Sequence, residues 1–367
     1  MEEQIQQTKL DKFKAFWSKA HLQYLVLAFL LYGFKAGLYF VIAGIPNPRV
    51  GFFFMGDEAI PFIKYFYVFY LGYYIVPEIF LWVLSFYDKR KVFDLIVGGA
   101  MVNIICCTCF LFYQIKMQRP AVNLDMGWNE IHDFSSFFDR LIVFQYNADS
   151  TATNCYPSLH ATFGTLLFLL GMPLSINEVK KEHHFPIWCR IFCIIFGLGI
   201  VASTFFIKQH YYVDALMGMI LMIAMYYVAK VLIDIWLENR ALSKDMKKEK
   251  AVGYLYMSGL TFNAISFSLC VTMFLFGIFL ANGMVTDAVP GAAVTPEILS
   301  LGVKYMIGFG VAAIVSGAVF ALNLYLRIAK KKLSPKLMIC LGCLSGNLLY
   351  LSSAIVKMNG NKDAIQA

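Results

Sequence analysis

The chain's apolar residues come in long, lightly charged blocks, at roughly 22–45, 61–86, 92–115, 157–177, 187–207, 211–237, 255–281, 300–326 and 337–356. About 20 apolar residues in an α-helix cross a hydrocarbon core of ~30 Å, and inside that core every backbone N–H and C=O must be satisfied within the protein. The blocks therefore predict an all-α, polytopic membrane helical bundle of nine spans. The ninth span is the most dilute, since it contains Gly342, Ser345, Gly346, Asn347, Ser352 and Ser353. Composition points the same way: 59% of residues are hydrophobic and 15% charged, where a soluble domain carries about 25% charged residues.

The formal net charge of +8 does not signal a nucleic-acid partner, because the basic residues sit in short connections and no aromatic-interleaved basic domain is present. They report orientation. Twenty Lys and Arg fall in segments 9–19, 89–91, 180–190, 240–250 and 327–336, against seven on the opposite ends. By the positive-inside rule the N-terminus is cytoplasmic, and the C-terminus and segment 116–156 are outside. The first twenty residues are polar and mixed in charge, so the first apolar block reads as a retained span rather than a cleaved signal. Eight of the nine cysteines lie in or beside apolar blocks and Cys155 lies alone in a polar loop, which argues against a disulfide framework or a zinc site.

Segment 116–156 is the longest connection and carries a net charge of −2. Within it Phe134, Phe137, Phe138, Leu141 and Ile142 recur at helical spacing. That pattern fits either a helix lying on the outer interface or a loop helix packed on its own bundle. The basic connection 239–250 separates six spans from three and divides the chain near residue 245, into 1–245 and 246–367. In the later part Gly308/Ala312 and Ala313/Gly317 place small residues four apart, which suits close helix packing.

Ionisable groups within spans are costly and often functional. Lys64, Lys230 and Lys304 lie near span ends, where long side chains snorkel to the interface. Lys35 and Glu78 lie deeper, at different depths by residue count, and an ion pair between them is only weakly suggested. A stronger concentration sits where spans four and six begin, on the outer side. Tyr156-Pro157-Ser158-Leu159-His160 opens span four, with Pro157 suited to a first helical turn, so Ser158 and His160 stand at a positive helix end that favours anions. Lys208-Gln209-His210-Tyr211-Tyr212-Val213-Asp214 opens span six. His210 and Asp214 share a helical face at i and i+4, from which the carboxylate can take the imidazole Nδ1–H and leave Nε2 as a nucleophile or base. Arg119, just after span three, adds a bidentate cation suited to phosphate.

Arg119-Pro120, Pro157-Ser158-Leu159-His160 and the run from Ser203 to Asp214 resemble the three motifs of the type 2 phosphatidic acid phosphatase superfamily. The resemblance covers roughly residues 20–238 and implies a six-helix phosphatase core followed by about three additional C-terminal transmembrane helices. It implies that His210 attacks phosphorus to give a phosphohistidine, that Asp214 orients and charges it, and that His160 protonates the leaving oxygen. Arg119 and Ser158 would hold the phosphoryl oxygens. Two family cations are absent, since Phe112 and Thr204 stand at their places; Lys116 and Lys208 are the candidate replacements. The leading expectation is a metal-independent, cofactor-free lipid phosphate phosphatase, acting on phosphatidate, isoprenoid diphosphate or a similar lipid at the outer face of a plasma membrane. Its partners would be the lipid substrate and the bilayer, with assembly into a homo-oligomer left open. The alternatives are a headgroup phosphotransferase with the same His/His/Asp machinery and a non-catalytic lipid-binding or transport protein.

Overall fold

The computed structural model describes residues 11, 18, 21–45, 52–54, 59–112, 136–149, 154–173, 185–242, 247–283, 285–287, 295–328 and 334–355. Arg119, Lys116, Phe134 and most of residues 1–20 lie outside these residues. The described residues are overwhelmingly helical, and among them are two three-residue strands, Phe52–Phe54 and Val285–Asp287. The helices are α1 (Leu22–Ala43), α2 (Tyr67–Gly72, preceded by a 3-10 turn at Lys64–Phe66), α3 (Val76–Ser85), α4 (Lys89–Phe112), α5 (Phe137–Ala148) and α6 (Leu159–Gly171). They continue with α7 (Ile187–Phe206), α8 (Tyr212–Leu242), α9 (Lys247–Ala281), α10 (Pro296–Ile328) and α11 (Pro335–Ser345). Among the described residues six helices are long and apolar enough to cross a membrane, and the chain is an integral membrane protein.

Two of the nine expected spans are shorter than their apolar blocks. Helix α6 stops at Gly171, because Met172 precedes Pro173 and takes an extended backbone, with ψ of 138°. Its 13 residues rise only about 20 Å. The ninth block breaks at Gly346, which ends α11 in a left-handed conformation with φ of 63°. A third block is present but broken. Lys64–Gly72 and Val76–Ser85 together have the apolar length of one span, bent by 44°. Pro77, in the first turn of α3, cannot donate to the carbonyl of Tyr73 and would clash with it, so the helix is interrupted across Tyr73–Ile75. The break places Tyr73 and Tyr74 in turn geometry.

The structure divides into two compact units. The first comprises residues 1–226 with 288–290. In it α6 and α7 pack at backbone contact: a Cβ on Gly197 would lie 2.6 Å from the Gly164 carbonyl oxygen and 2.6 Å from the Phe168 nitrogen. Helix α5 resolves the open question about the outer loop. Its Ile142 and Tyr146 are buried against Tyr67, Tyr70 and Ile207, Tyr146 donates to the Ile207 carbonyl at 2.6 Å, and Lys64 pairs with Asp139 at 3.0 Å. It is a loop helix packed on its own bundle, while Phe137 and Phe144 on its other face stay exposed. Lys64 is thus an anchor for α5 rather than a snorkelling cation.

The second unit comprises residues 227–287 and 291–367. Its α9 and α10 meet at Gly277 and Gly302, where an added Cβ would meet the Met306 and Ala281 nitrogens. Of the small residues that the spacing singled out, Gly317 does pack on α9, where an added Cβ would lie 2.7 Å from the Phe267 ring, whereas nothing lies within 4 Å of a Cβ on Gly308. Asn347 donates to the Gly259 carbonyl at 2.7 Å and to Asn263 Oδ1 at 2.9 Å, an interhelical polar tie of the kind that holds helices together in lipid.

Gly197→Ala forces apart two backbones that have no flexible atoms to yield. We expect it to cost about 1–3 kcal/mol, read as a lowered thermal midpoint in detergent. Gly33→Ala, on an open face of α1, should be neutral or stabilising by up to ~1 kcal/mol. Equal midpoints for the two variants would contradict this packing.

Candidate active site

The site forms where α6 and α8 begin. Ser158 is the N-cap of α6, its Oγ accepting from the Ala161 N–H at 3.2 Å. Pro157 therefore lies one residue before the cap instead of within the first turn, in a cis peptide with Tyr156. The Ser158 N–H donates to the Asp214 carbonyl at 3.0 Å, which ties the start of α6 to the start of α8. The helices come this close because residue 218 is glycine: a Cβ there would sit 2.6 Å from the Ser158 carbonyl oxygen. Burial pushes the phenol of Tyr156 well above its ordinary value, so it borders the site as a neutral group.

Between α7 and α8 the chain turns through Lys208, whose φ is 52°. The Gln209 and His210 N–H groups both donate to the Thr204 carbonyl at 2.9 Å, fixing the backbone of the second histidine. Thr204 turns its hydroxyl back onto the Val201 carbonyl at 2.7 Å. The expected arginine position thus offers no cation. Lys208 is buried, with Nζ donating to the Ile60 carbonyl; that carbonyl is one use of its charge, and a phosphoryl oxygen would compete with it.

The two histidines meet directly, His160 Nδ1 lying 3.1 Å from His210 Nε2. Their protons follow from their neighbours. His210 Nδ1 lies 3.0 Å from the Cys155 carbonyl, which can only accept, so this nitrogen carries a hydrogen. In neutral His210, Nε2 is then the acceptor, and His160 Nδ1 is the donor toward it. Sequence spacing assigned the orienting bond to Asp214. The structure gives it to the Cys155 carbonyl, because the Asp214 Oδ2 stands 3.7 Å from Nδ1, beyond hydrogen-bond reach. That oxygen accepts instead from the Tyr211 N–H at 3.1 Å. Asp214 is fully buried beside the His210 ring.

Aromatic rings from the broken span hold His160. Tyr70 stacks on the imidazole at 4.5 Å and Tyr73 lies against it at 4.2 Å. The Tyr70 hydroxyl reaches Gln209 Oε1 at 3.5 Å. Sequence reading missed this support and the Cys155 carbonyl. The aromatic density of residues 62–76 was visible, but nothing in it singled out a ring facing His160.

Cys155, His210 and Asp214 also offer ligand atoms within 4.8 Å of one another. A cation there would have to displace the proton that His210 Nδ1 donates to the Cys155 carbonyl and compete with the Tyr211 N–H for Asp214. All nine cysteines are free thiols in this structure.

Residues 93–237 match the family model described as the PAP2 superfamily. The matched segment contains His160, His210, Asp214 and Ser158, and it ends before the second unit's α9–α11. No curated protein and no solved structure matches the chain.

If the Cys155 carbonyl sets the tautomer, ¹⁵N NMR of histidine-labelled protein will show His210 protonated at Nδ1, both in the native protein and in Asp214→Asn. A shift of the proton to Nε2 in that variant would assign the orienting bond to the carboxylate.

Proposed function

Residues 93–237 belong to the PAP2 superfamily, and on that premise we propose that this membrane protein of phosphatase type hydrolyses lipid phosphate esters through a phosphohistidine at His210. The observation that carries the reading is the proton order of the pair. His210 Nδ1 is committed to the Cys155 carbonyl and Nε2 is presented as a lone pair toward His160.

In the proposed reaction the phosphoryl group enters between the two imidazoles, replacing the His160–His210 hydrogen bond. His210 Nε2 forms the N–P bond as the P–O bond to the lipid alcohol breaks, and His160, acting as an imidazolium, gives one proton to the departing oxygen and is left neutral. The Asp214 carboxylate, buried beside His210, stabilises the positive imidazolium ring that results; in so dry a site a fixed charge acts strongly. Water then attacks phosphorus, its proton passes to His160, and His210 leaves as phosphate departs. Ser158, Lys208, Arg119 and Lys116 are proposed to hold the non-bridging oxygens, whose positioning is most of phosphoryl-transfer catalysis. No step needs a metal or a cofactor.

Phosphatidate, an isoprenoid diphosphate or a related lipid fits as substrate, because a site at the starts of two membrane helices can take a headgroup while the chains stay in lipid. The charge pattern supports an extracytoplasmic site, on the outer side of a plasma membrane.

Purified protein in detergent and EDTA should release phosphate from a panel of lipid phosphates, and His210→Ala should lower that rate by at least about 10⁴-fold, a scale set by losing a catalytic nucleophile. Release that requires an added alcohol would make the protein a phosphotransferase. No phosphate transfer under any condition would set the enzymatic reading aside.

A further inference from the structure

Lys35 on α1 and Glu78 on α3 form a buried ion pair, 2% and 1% exposed, with Nζ 3.7 Å from Oε1. The sequence placed them at different depths; the bend at Tyr73–Ile75 alters the register of α3 and brings them level. The pair is a poor stabiliser as built. At 3.7 Å it is longer than a hydrogen bond, and the Lys35 Nζ and Glu78 Oε2 have no hydrogen-bond partner among the described residues. Apolar residues of similar volume often replace such a pair without loss, so packing gives little reason for it.

The ammonium is directed at aromatic faces instead. It lies 3.8 Å from the centre of the Tyr73 ring, 4.2 Å from Phe163 and 4.6 Å from Tyr32. Tyr73 is the ring that lies 4.2 Å from His160, and Phe163 is one turn beyond His160 on α6. The ammonium therefore lies no farther from the imidazole than the sum of its distance to Tyr73 and that ring's distance to His160. Tyr73 caps α2 in helical geometry, its N–H on the Phe69 carbonyl at 3.2 Å, at the last position before the break, and the cation on its ring face adds a constraint on the side chain that the backbone does not supply. Lys35, Tyr73 and Glu78 all precede residue 93, where the family match begins.

We propose that Lys35, held in place by Glu78, is a positioning residue for His160: it pins the Tyr73 ring, and the ring sets the imidazole in line to protonate the leaving oxygen. The inference rests on His160 serving as the acid. A residue acting through that proton matters when the departing alkoxide needs it and matters little when the leaving group is already stable.

The test compares a single turnover of a lipid phosphate, which departs as an alkoxide, with one of p-nitrophenyl phosphate, which departs as a stable phenolate. Lys35→Met should lower the single-turnover rate of leaving-group release, which precedes the water attack that also uses His160, about tenfold for the lipid, and leave that of p-nitrophenyl phosphate within about twofold of native. Lys35→Arg, which keeps the cation, should restore most of the lipid rate. If Lys35→Met fails to fold because Glu78 is left buried alone, Lys35→Met/Glu78→Met removes both charges and is held to the same comparison. Equal losses on both substrates, or none on either, would overturn the proposal. His160→Ala runs in parallel: a leaving-group split there without one in the Lys35 variants rejects the inference alone, whereas no split in His160→Ala rejects the assignment of His160 as acid.

Discussion

One backbone hydrogen bond, from the Ser158 N–H to the Asp214 carbonyl at 3.0 Å, joins the starts of α6 and α8 and sets the geometry of everything that could react. Within a bilayer, helices satisfy their own backbone everywhere except at their ends, so the ends are where polar chemistry can be placed at least cost. Here two ends are fastened to each other. Gly218 makes the approach possible, and Ser158 caps the helix that carries His160 while its N–H reaches the helix that carries Asp214. The loop between α7 and α8 then hangs His210 from the Thr204 carbonyl, and the Cys155 carbonyl selects its tautomer.

A second layer of support comes from a span that cannot remain a helix. Pro77 interrupts it, and the interruption supplies Tyr73 against the His160 ring, with Tyr70 stacked on that ring from the turn before. In the proposed mechanism a phosphoryl group and the His160–His210 hydrogen bond compete for the same space. Binding in the proposed mechanism exchanges that bond for contacts to phosphoryl oxygens, and the aromatic walls limit how far His160 moves as it does so.

Much of this was legible in the sequence. The apolar blocks pointed to an all-helical membrane protein, and the spacing of Pro157-Ser158-Leu159-His160 and of His210 and Asp214 carried a resemblance to the family whose model matches residues 93–237. What sequence could not supply came from backbone geometry. A local i, i+4 spacing suggested that Asp214 orients His210, but a carbonyl 55 residues away along the chain takes that proton. Lys35 and Glu78 looked mismatched in depth because residue counting assumes straight helices. Met172 before Pro173 and the left-handed Gly346 each ended a helix inside an apolar block, where hydropathy alone reads a continuous span.

The central claim is that His210 carries phosphorus covalently. The most direct measurement is rapid quenching, under the basic conditions that preserve a phosphohistidine, of the protein with ³²P-labelled lipid phosphate, followed by mapping of the label. The account predicts label on His210 during turnover and none in His210→Ala. Turnover with no protein-bound phosphorus, or label on any other residue, would contradict it.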